Sequence, residues 1–276
     1  MSAQTPDEKY DALVIRLRSL KNVAVAFSGG VDSTLLLHAA HEALGDRTVA
    51  ITARSRLFPQ RELDEAVAFC NDRDIPHVIV NTHELEDEMF RQNPPNRCYI
   101  CKTGLLRAVI DVANGRGVDH IVEGSNTDDE SDYRPGAQAI LEQGVMSPLK
   151  DAGLSKREIR DLSREKGLPT WSKQSFACLA SRFAFGEVIS EERLGMIDAA
   201  EQILLERGIR QVRVRFHGAI ARIEVQPDDF AHLVDSDVRE DVIRNIRALG
   251  FKYVTLDLGG YQTGSMNMTI GGQTLN

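Results

Sequence analysis

The chain has 276 residues, and 33 basic side chains against 41 acidic ones give it a formal net charge of −8 at pH 7. This length is enough for one large or two modest domains, and the acidic balance argues against a broad nucleic-acid-binding or membrane-binding face. No run of about 18 apolar residues is present, and the polar first residues lack the apolar segment of a signal peptide. We therefore expect a soluble cytoplasmic protein, whose four cysteines are ligands, nucleophiles or core residues rather than disulfides.

Strand-like and helix-like segments alternate over the first two-thirds of the chain. Short apolar runs that end in turn residues are typical of buried strands, and Ser155 with Glu158 forms a predicted capping box before a later helix. The predicted strands cover residues 23–27, 48–52, 77–81 and 120–123, and the predicted helices cover residues 33–44, 60–73, 102–115 and 155–166. Strands separated by helices predict an α/β fold, in which helices flank a parallel sheet.

The pattern of apolar residues changes near Gly186. Two segments that alternate with period two flank His217 and Gly218, as the arms of a hairpin do. The elements predicted here are a helix over 190–207, hairpin strands over 211–216 and 219–225, a helix over 237–249 and a strand over 253–257. The sequence therefore predicts a larger domain over residues 1–185 and a smaller α+β domain over residues 186–276.

The strongest chemical signal is the string SGGVDST at residues 28–34, where the first predicted strand ends and the first predicted helix begins. A helix N-terminus offers backbone N–H groups and a partial positive charge to an anion, and glycines let the backbone approach that anion closely. The string matches neither G-x-x-x-x-G-K-[ST] nor G-x-G-x-x-G. A serine-capped helix after a glycine turn is the alternative interpretation. The predicted phosphate contacts are Ser28, Gly29, Gly30, Ser33 and Thr34, and Asp32 is predicted to complete the cofactor site by holding magnesium beside the phosphates.

The SGGVDST string after a first strand resembles the loop of the PP-loop ATP pyrophosphatases, the superfamily of GMP synthetase, NAD synthetase and tRNA thiolases. The resemblance implies a Rossmann-like fold of the adenine nucleotide alpha hydrolase type. It also implies that the loop binds the β,γ-pyrophosphate of ATP. A substrate oxygen then attacks the α-phosphorus, which leaves the substrate adenylated.

Two further segments at predicted strand ends support nucleotide binding. Ser55 closely follows the second strand, beyond the carboxyl end where adenine contacts are expected. The fourth strand runs into an acidic segment, residues 128–132, which is suited to positioning magnesium, although a solvated loop is the alternative. Arg134 follows this segment and is suited to pairing with an anion such as ATP.

Three of the four cysteines are candidate metal ligands. Cys98 and Cys101 form a C-x-x-C pair at the start of a helix, an arrangement typical of metal binding or redox chemistry. Cys178 lies near the predicted domain boundary, whereas Cys70 lies among apolar residues of a helix and is interpreted as a core residue. Three thiolates suit a [4Fe–4S] cluster in which one iron lacks a protein ligand. A zinc site and a thioredoxin-like redox pair are the alternatives.

With these residues placed, most of the chain resembles the LarE family of sulfur transferases. The resemblance rests on SGGVDST, on DYRPG at 132–136, on CLASRF at 178–183, on VRVRFH at 212–217 and on YVTLDLGG at 253–260. It implies that a carboxylate of pyridinium-3,5-biscarboxylic acid mononucleotide is adenylated and converted to a thiocarboxylate, during assembly of a nickel-pincer nucleotide cofactor. It also implies a homohexamer.

The resemblance implies one of two versions of the sulfur step. In one version, Cys178 attacks the acyl-adenylate, gives up its own sulfur and becomes dehydroalanine. In the other, three cysteines hold a [4Fe–4S] cluster that carries an extra sulfide, and sulfide or a sulfur donor reloads it. This chain has Cys98 and Cys101 as well as Cys178. It therefore resembles the cluster type, in which Cys178 is a ligand.

Four residues of the C-terminal part are predicted to bind the substrate phosphate. Arg213 and Arg215 alternate with valines on a predicted strand, so both guanidinium groups face one side and can hold a phosphate. A strand face that arginine makes soluble is the alternative interpretation. The family resemblance places the phosphate near Ser181 and Arg182 as well.

Two other residues are singled out beside these sites. Lys102 directly follows the C-x-x-C pair and is predicted to reach the ATP phosphates, while Glu201 matches an acidic position of the family with no derived role. A PP-loop tRNA thiolase is the alternative function. The net charge of −8 disfavours it, because an RNA-binding surface is usually basic.

Overall fold

In the computed structural model, which describes residues 4–131, 135–174 and 176–262, the chain forms two compact units. The first unit contains the described residues up to Glu84 together with those of Asn96–Phe176, and the second contains Leu85–Pro95 together with the described residues from Ala177 onward. This division lies earlier in the chain than the boundary predicted after residue 185. The reason is packing: the amide of Asn93 donates to the carbonyl of Ala184 (2.6 Å), and residues 177–185 pack within the second unit.

The described elements follow the predicted alternation of strands and helices. The helices are α1 (Pro6–Ser19), α2 (Val31–Leu44), α3 (Gln60–Asn71), α4 (Glu88–Arg91), α5 (Arg97–Gly115), α6 (Pro135–Glu142), α7 (Pro148–Asp151), α8 (Lys156–Glu165), α9 (Glu191–Leu205), α10 (Phe230–Val234) and α11 (Ser236–Ala248). The strands are β1 (Val23–Ala26), β2 (Thr48–Arg54), β3 (His77–Asn81), β4 (Ile121–Val122), β5 (Val212–His217), β6 (Ile220–Val225) and β7 (Tyr253–Leu256). No helix in the described ranges is long and apolar enough to cross a membrane.

The first unit is built on a parallel sheet with the strand order β3-β2-β1-β4. Strand β1 pairs with β2 from Val23 opposite Thr48, and with β4 from Ala24 opposite Ile121. Chain order therefore reverses direction at β1, and open α/β sheets bind ligands at such a switch point, outside the carboxyl ends of the strands. The predicted parallel sheet flanked by helices is confirmed.

The core of the first unit explains why its strands and helices form where they do. Strand β1 consists of the apolar sequence VAVA, and Val23 and Val25 are fully buried in the main core. Helix α2 adds Leu35 and Leu36, and burial of each such side chain contributes roughly 1.5–3 kcal/mol. Helix α8 begins with the predicted capping box, in which the Ser155 hydroxyl accepts from the Glu158 amide. The loop that follows β1 therefore connects a strand and a helix that are both packed in the core of the first unit.

The second unit contains a small mixed sheet with the strand order β5-β6-β7. Strands β5 and β6 form the predicted antiparallel hairpin, with Val212 opposite Val225, while β6 and β7 pair in parallel. Gly218 adopts a positive φ of 58° in the turn, a conformation that glycine adopts without steric cost. The rings of Phe183 and Phe216, whose centroids are 5.3 Å apart, form part of the packing within this unit.

Candidate nucleotide and substrate-phosphate sites

The loop between β1 and α2 presents backbone amides at the switch point of the first unit. Gly30 is the N-cap of α2, and within the described chain no side chain caps this helix. The first amides of a helix have no acceptor inside the helix, so this end can bind an anion. Gly29 has a φ of +70°, and a Cβ atom there would lie 3.4 Å from the Cβ of Ala66. Glycine therefore suits both the turn and the close approach to α3.

The three predicted hydroxyl groups occupy different environments. The hydroxyl oxygens of Ser28 and Ser33 lie 3.1 Å apart, and the Ser33 hydroxyl also donates to the carbonyl of Gly30 (3.2 Å). These hydrogen bonds link the two ends of the loop at the carboxyl end of β1. Thr34 is fully buried, and its hydroxyl has no hydrogen-bond partner in the part of the chain that the structure describes.

Asp32 lies in the first turn of α2, and its carboxylate contacts two side chains. Its Oδ2 atom forms an ion pair with the ammonium group of Lys156, and its Oδ1 atom accepts from the amide of Asn126 (3.3 Å). The sequence analysis did not predict the contact with Lys156. The only local signal was that Lys156 directly follows Ser155, the predicted N-cap of a helix. The carboxylate that the sequence predicts as a magnesium ligand is therefore paired with Lys156.

The segment after β4 lies directly against the start of α2. A Cβ atom on Gly124 would be only 3.0 Å from the amide nitrogen of Ser33, so a larger residue would press against this amide. Glu123 is buried, and its Oε1 atom accepts from the hydroxyl of Ser147 (2.6 Å). The ammonium group of Lys102 lies 3.7 Å from the other carboxylate oxygen of Glu123. The structure thus places Lys102 beside Glu123 and Gly124, which adjoin the predicted phosphate loop (residues 28–34, called the phosphate loop below).

The approach of Gly124 to the loop leads to a test of the anion site. We expect Gly124→Ala to weaken ATP binding by about tenfold or more, because the added methyl group would cover or displace the Ser33 amide. Isothermal titration calorimetry with MgATP measures this affinity. Gly104→Ala is the matched control, because a Cβ atom at this helical position meets no described atom within 4 Å. Equal ATP affinity of both variants would exclude the Ser33 amide from the site.

The end of β2 places Ser55 in a network that the sequence did not predict. The Ser55 hydroxyl donates to Glu84 (2.7 Å) and accepts from the amide of Leu57 (3.1 Å), and Thr82 donates to the same carboxylate (2.8 Å). Glu84 is buried. Ser55 as an adenine contact stays a prediction. Arg134 and the end of the acidic segment, residue 132, lie outside the described residues.

A second lysine contacts the phosphate loop and was also missed. The ammonium group of Lys173 donates to the carbonyl of Gly29 (3.2 Å), to Glu65 (2.6 Å) and lies 2.8 Å from Glu62. Burial alone would lower the pKa of Lys173, but the bonds to the two carboxylates raise it above its ordinary value. Lys173 therefore stays charged and ties the loop to α3.

The three candidate cysteine ligands are partly accessible. Cys98 is exposed and Cys101 half-buried, and the two lie one turn apart at the start of α5 in the first unit. Cys178 is half-buried and belongs to the second unit, where it precedes a short 3₁₀ turn. Within the described ranges, no group of three or more His, Cys, Asp or Glu side chains is arranged to hold a metal ion. Cys70 is fully buried in the core, as predicted.

Arg182 is a fully buried charged residue of the second unit. Its side chain is fully buried and forms two hydrogen bonds to Glu201, at 2.8 and 2.9 Å. The guanidinium group also donates to the carbonyls of Ala177 (2.6 Å) and Cys178 (3.1 Å). Glu201 in turn accepts from the amide of Val214 on β5 (3.0 Å). This network fixes the segment that carries Cys178 and gives Glu201 a structural role that the sequence did not supply.

The other predicted phosphate residues gather around this pair. Arg215 donates to the carbonyl of Ser181 (3.1 Å) and to Glu224 (2.7 Å). Burial and the nearby Arg182 guanidinium lower the pKa of Arg213, which means that like charges are crowded there. Both strand arginines are buried, so they do not form a solvent-exposed face. The structure therefore brings the four predicted residues into one region of the second unit.

The protein is an α/β protein of the PP-loop type. This class is indicated by the loop after β1, by the parallel sheet, and by the approach of Gly124 to that loop at the switch point of the sheet. The chain is 39% identical to pyridinium-3,5-bisthiocarboxylic acid mononucleotide synthase of Lactiplantibacillus plantarum, over 95% of each chain. It therefore belongs to the family of that synthase, the LarE family.

Two other relatives match this chain over different lengths. An uncharacterized protein of Synechocystis is 41% identical over 91% of this chain and 94% of its own. A component of the glutamine-hydrolyzing GMP synthase of Methanocella arvoryzae is 29% identical over 52% of this chain and 50% of its own length. A scan against known family profiles found no match.

Proposed function

We propose that this protein is an ATP-dependent sulfur transferase that converts a carboxylate of pyridinium-3,5-biscarboxylic acid mononucleotide to a thiocarboxylate. The observation that carries the proposal is the 39% identity to the Lactiplantibacillus synthase over 95% of both chains. The start of α2 lies at the sheet's switch point and is capped by no side chain of the described residues, which supports ATP as the second substrate. The net charge of −8 is in keeping with a small-molecule substrate rather than RNA.

The first step of the proposed reaction activates the substrate carboxylate. One carboxylate oxygen attacks the α-phosphorus of ATP, which forms an acyl-adenylate and releases pyrophosphate. The first amides of α2, with Ser28 and Ser33, bind the phosphates, and Lys102 adds a positive charge. Asp32 is the proposed ligand of Mg²⁺, which when bound neutralises negative charge on the phosphates. Each well-placed donor contributes roughly 2.7–4 kcal/mol to transition-state stabilisation.

The second unit is proposed to be a separate domain that binds the phosphate of the mononucleotide. Arg213 and Arg215 would contact the phosphate, and the hydroxyl of Ser181 would complete the site. Arg182 supports them, since its guanidinium group already contacts Glu201 and two carbonyls. The crowding of guanidinium groups that lowers the pKa of Arg213 favours binding of an anion.

For the sulfur step, Cys98, Cys101 and Cys178 are proposed as ligands of a [4Fe–4S] cluster. The fit rests on donor chemistry: two thiols lie one helical turn apart, and no histidine is close to them in the sequence. A cluster held by these thiols supplies a sulfur atom that is not part of the polypeptide. In the alternative, the Cys178 thiolate attacks the acyl carbon and expels AMP. Elimination then transfers the sulfur to the substrate and leaves dehydroalanine at position 178.

Product analysis tests the proposed function. Protein purified without oxygen is incubated with MgATP, sulfide and the biscarboxylic mononucleotide, and the products are identified by mass spectrometry. We expect a thiocarboxylate together with AMP and pyrophosphate. A parallel incubation with tRNA in place of the mononucleotide should give no thiolated product. Formation of ADP and phosphate, or thiolation of the tRNA, would contradict the proposal.

A further inference from the structure

Lys173 lies in the first unit, and its side chain reaches from the segment after α8 to the phosphate loop. This side chain is 17% exposed. Its ammonium group donates to the carbonyl of Gly29 (3.2 Å) and contacts the carboxylates of Glu62 and Glu65 on α3, at 2.8 and 2.6 Å. An ammonium group has three N–H bonds to donate, and three oxygens surround this one. The ammonium group is therefore held at a defined point between the phosphate loop and α3.

The backbone of Lys173 is anchored as firmly as its side chain. The guanidinium group of Arg160 on α8 donates to the carbonyls of Trp171 (2.7 Å) and Lys173 (2.8 Å). The amide of Lys173 donates to the carbonyl of Thr170 (2.9 Å). The lysine thus extends from a segment fixed on α8, and its ammonium group bonds to α3 and to the loop between β1 and α2.

The bond to the carbonyl of Gly29 determines which way the next amide faces. The carbonyl of Gly29 and the N–H of Gly30 belong to one peptide group, and in a trans peptide they point in opposite directions. The carbonyl faces Lys173, so the N–H faces the other side of the loop, where the Ser28 hydroxyl oxygen lies 3.4 Å from the nitrogen. A hydrogen bond to the carbonyl also polarises the peptide group, which strengthens its N–H as a donor.

The two glycines of the loop do not fix this orientation by themselves. Gly29 has a φ of +70°, and glycine reaches positive and negative φ about equally well. The peptide group between Gly29 and Gly30 can therefore turn over unless a neighbouring group holds its carbonyl. A turned peptide would present its carbonyl oxygen, which carries a partial negative charge, to the side on which the N–H now lies.

We propose that Lys173 is a positioning residue for ATP binding, which holds the peptide group between Gly29 and Gly30 with its N–H toward the phosphates. Lys173 acts through the loop and does not contact the nucleotide. Glu62 and Glu65 keep the ammonium group in place, and Arg160 keeps the backbone in place. The inference rests on the proposed function only in placing ATP at this loop.

Binding of a non-hydrolysable ATP analogue in the presence of Mg²⁺, measured by isothermal titration calorimetry, tests this inference. We expect Lys173→Met to weaken the affinity by about tenfold or more, the effect of losing one hydrogen bond to a charged group. The number of binding sites per chain should stay that of the wild type. A variant that only folded poorly would instead lower the number of sites and leave the affinity of the folded molecules unchanged.

Two further variants separate the bond to the loop from other effects of the substitution. Lys9→Met is the matched control, because Lys9 is 19% exposed and pairs with Glu158 (2.7 Å), and it should bind the analogue as the wild type does. Combining Lys173→Met with Glu65→Gln removes one positive and one negative charge, so it keeps the wild-type net charge. Affinity should remain at least about fivefold weaker in this double variant, because the carbonyl of Gly29 still lacks its donor.

The outcomes distinguish this inference from the proposed function, since the mononucleotide is not used. Wild-type affinity in Lys173→Met, or its recovery in the double variant, would overturn the positioning role. In the second case the lysine would act by its charge alone. Absence of analogue binding to the wild type would contradict the ATP site of the proposed function, and this inference with it.

Discussion

Replacement of Cys178 with alanine is expected to abolish thiocarboxylate formation while the acyl-adenylate and pyrophosphate still form. The sulfur of Cys178 is a cluster ligand in one version of the sulfur step and the transferred atom in the other. We expect a fall of about 10³-fold or more, the scale on which removal of a reacting group acts. Adenylation should survive, because the carbonyl of Cys178, which alanine retains, accepts from Arg182 (3.1 Å) and from the Ser181 amide (3.0 Å). Separate assays of thiocarboxylate and pyrophosphate make the measurement.

Cys70 provides the matched control for this substitution. Burial raises the pKa of the Cys70 thiol to about 12, so it stays protonated and unreactive. Cys70→Ala should keep sulfur transfer and lose only about 1 kcal/mol of stability. Cys98→Ala and Cys101→Ala distinguish the two versions of the sulfur step. If a cluster is used, both variants should lose bound iron and sulfur-transfer activity; if Cys178 gives up its own sulfur, both should keep this activity. Full transfer by Cys178→Ala would contradict both versions.

Replacement of Glu201 with alanine is expected to destabilise the second unit by about 3–5 kcal/mol. The substitution leaves the fully buried guanidinium group of Arg182 without its carboxylate, and it removes the acceptor of the Val214 amide. An uncompensated buried charge costs far more than a broken surface pair, because water cannot solvate it. Chemical denaturation followed by circular dichroism measures the change in the free energy of unfolding.

An exposed ion pair and a double substitution serve as comparisons. Arg244 forms a pair with Asp241 on α11, and its side chain is 73% exposed, so Arg244→Ala should cost less than about 1 kcal/mol. Combining Glu201→Leu with Arg182→Met removes both buried charges and should recover part of the stability, because the Val214 amide and the Ala177 carbonyl still lose their partners. If Glu201→Ala cost no more than Arg244→Ala, the buried pair would not hold this unit together.

Local sequence patterns were enough to predict the elements that carry the phosphate loop. The run VAVA is apolar at every position, as is typical of a strand buried on both faces, and the glycines after it predict the turn. The capping box at Ser155 and the period-two alternation around Gly218 are likewise local signals, and each marks an element that the structure contains. These features could be predicted because each depends only on residues that are close together in the sequence.

Features that depend on distant partners could not be predicted in this way. Residues 85–95 belong to the second unit because Asn93 bonds to Ala184, a contact that no local pattern encodes. The partners of Asp32 and Arg182, namely Lys156 and Glu201, are likewise brought close only by the fold. The alternation of arginines on β5 correctly indicated one face, but it did not reveal that this face is buried.

The account depends most on the attack of a substrate carboxylate on the α-phosphorus of ATP. A mononucleotide labelled with oxygen-18 in its carboxylates tests this directly, because thiolysis of the acyl-adenylate leaves one carboxylate oxygen in AMP. Mass spectrometry of the released AMP should therefore find one oxygen-18 atom for each thiocarboxylate formed. Unlabelled AMP, or oxygen-18 in orthophosphate, would contradict adenylation as the activating step.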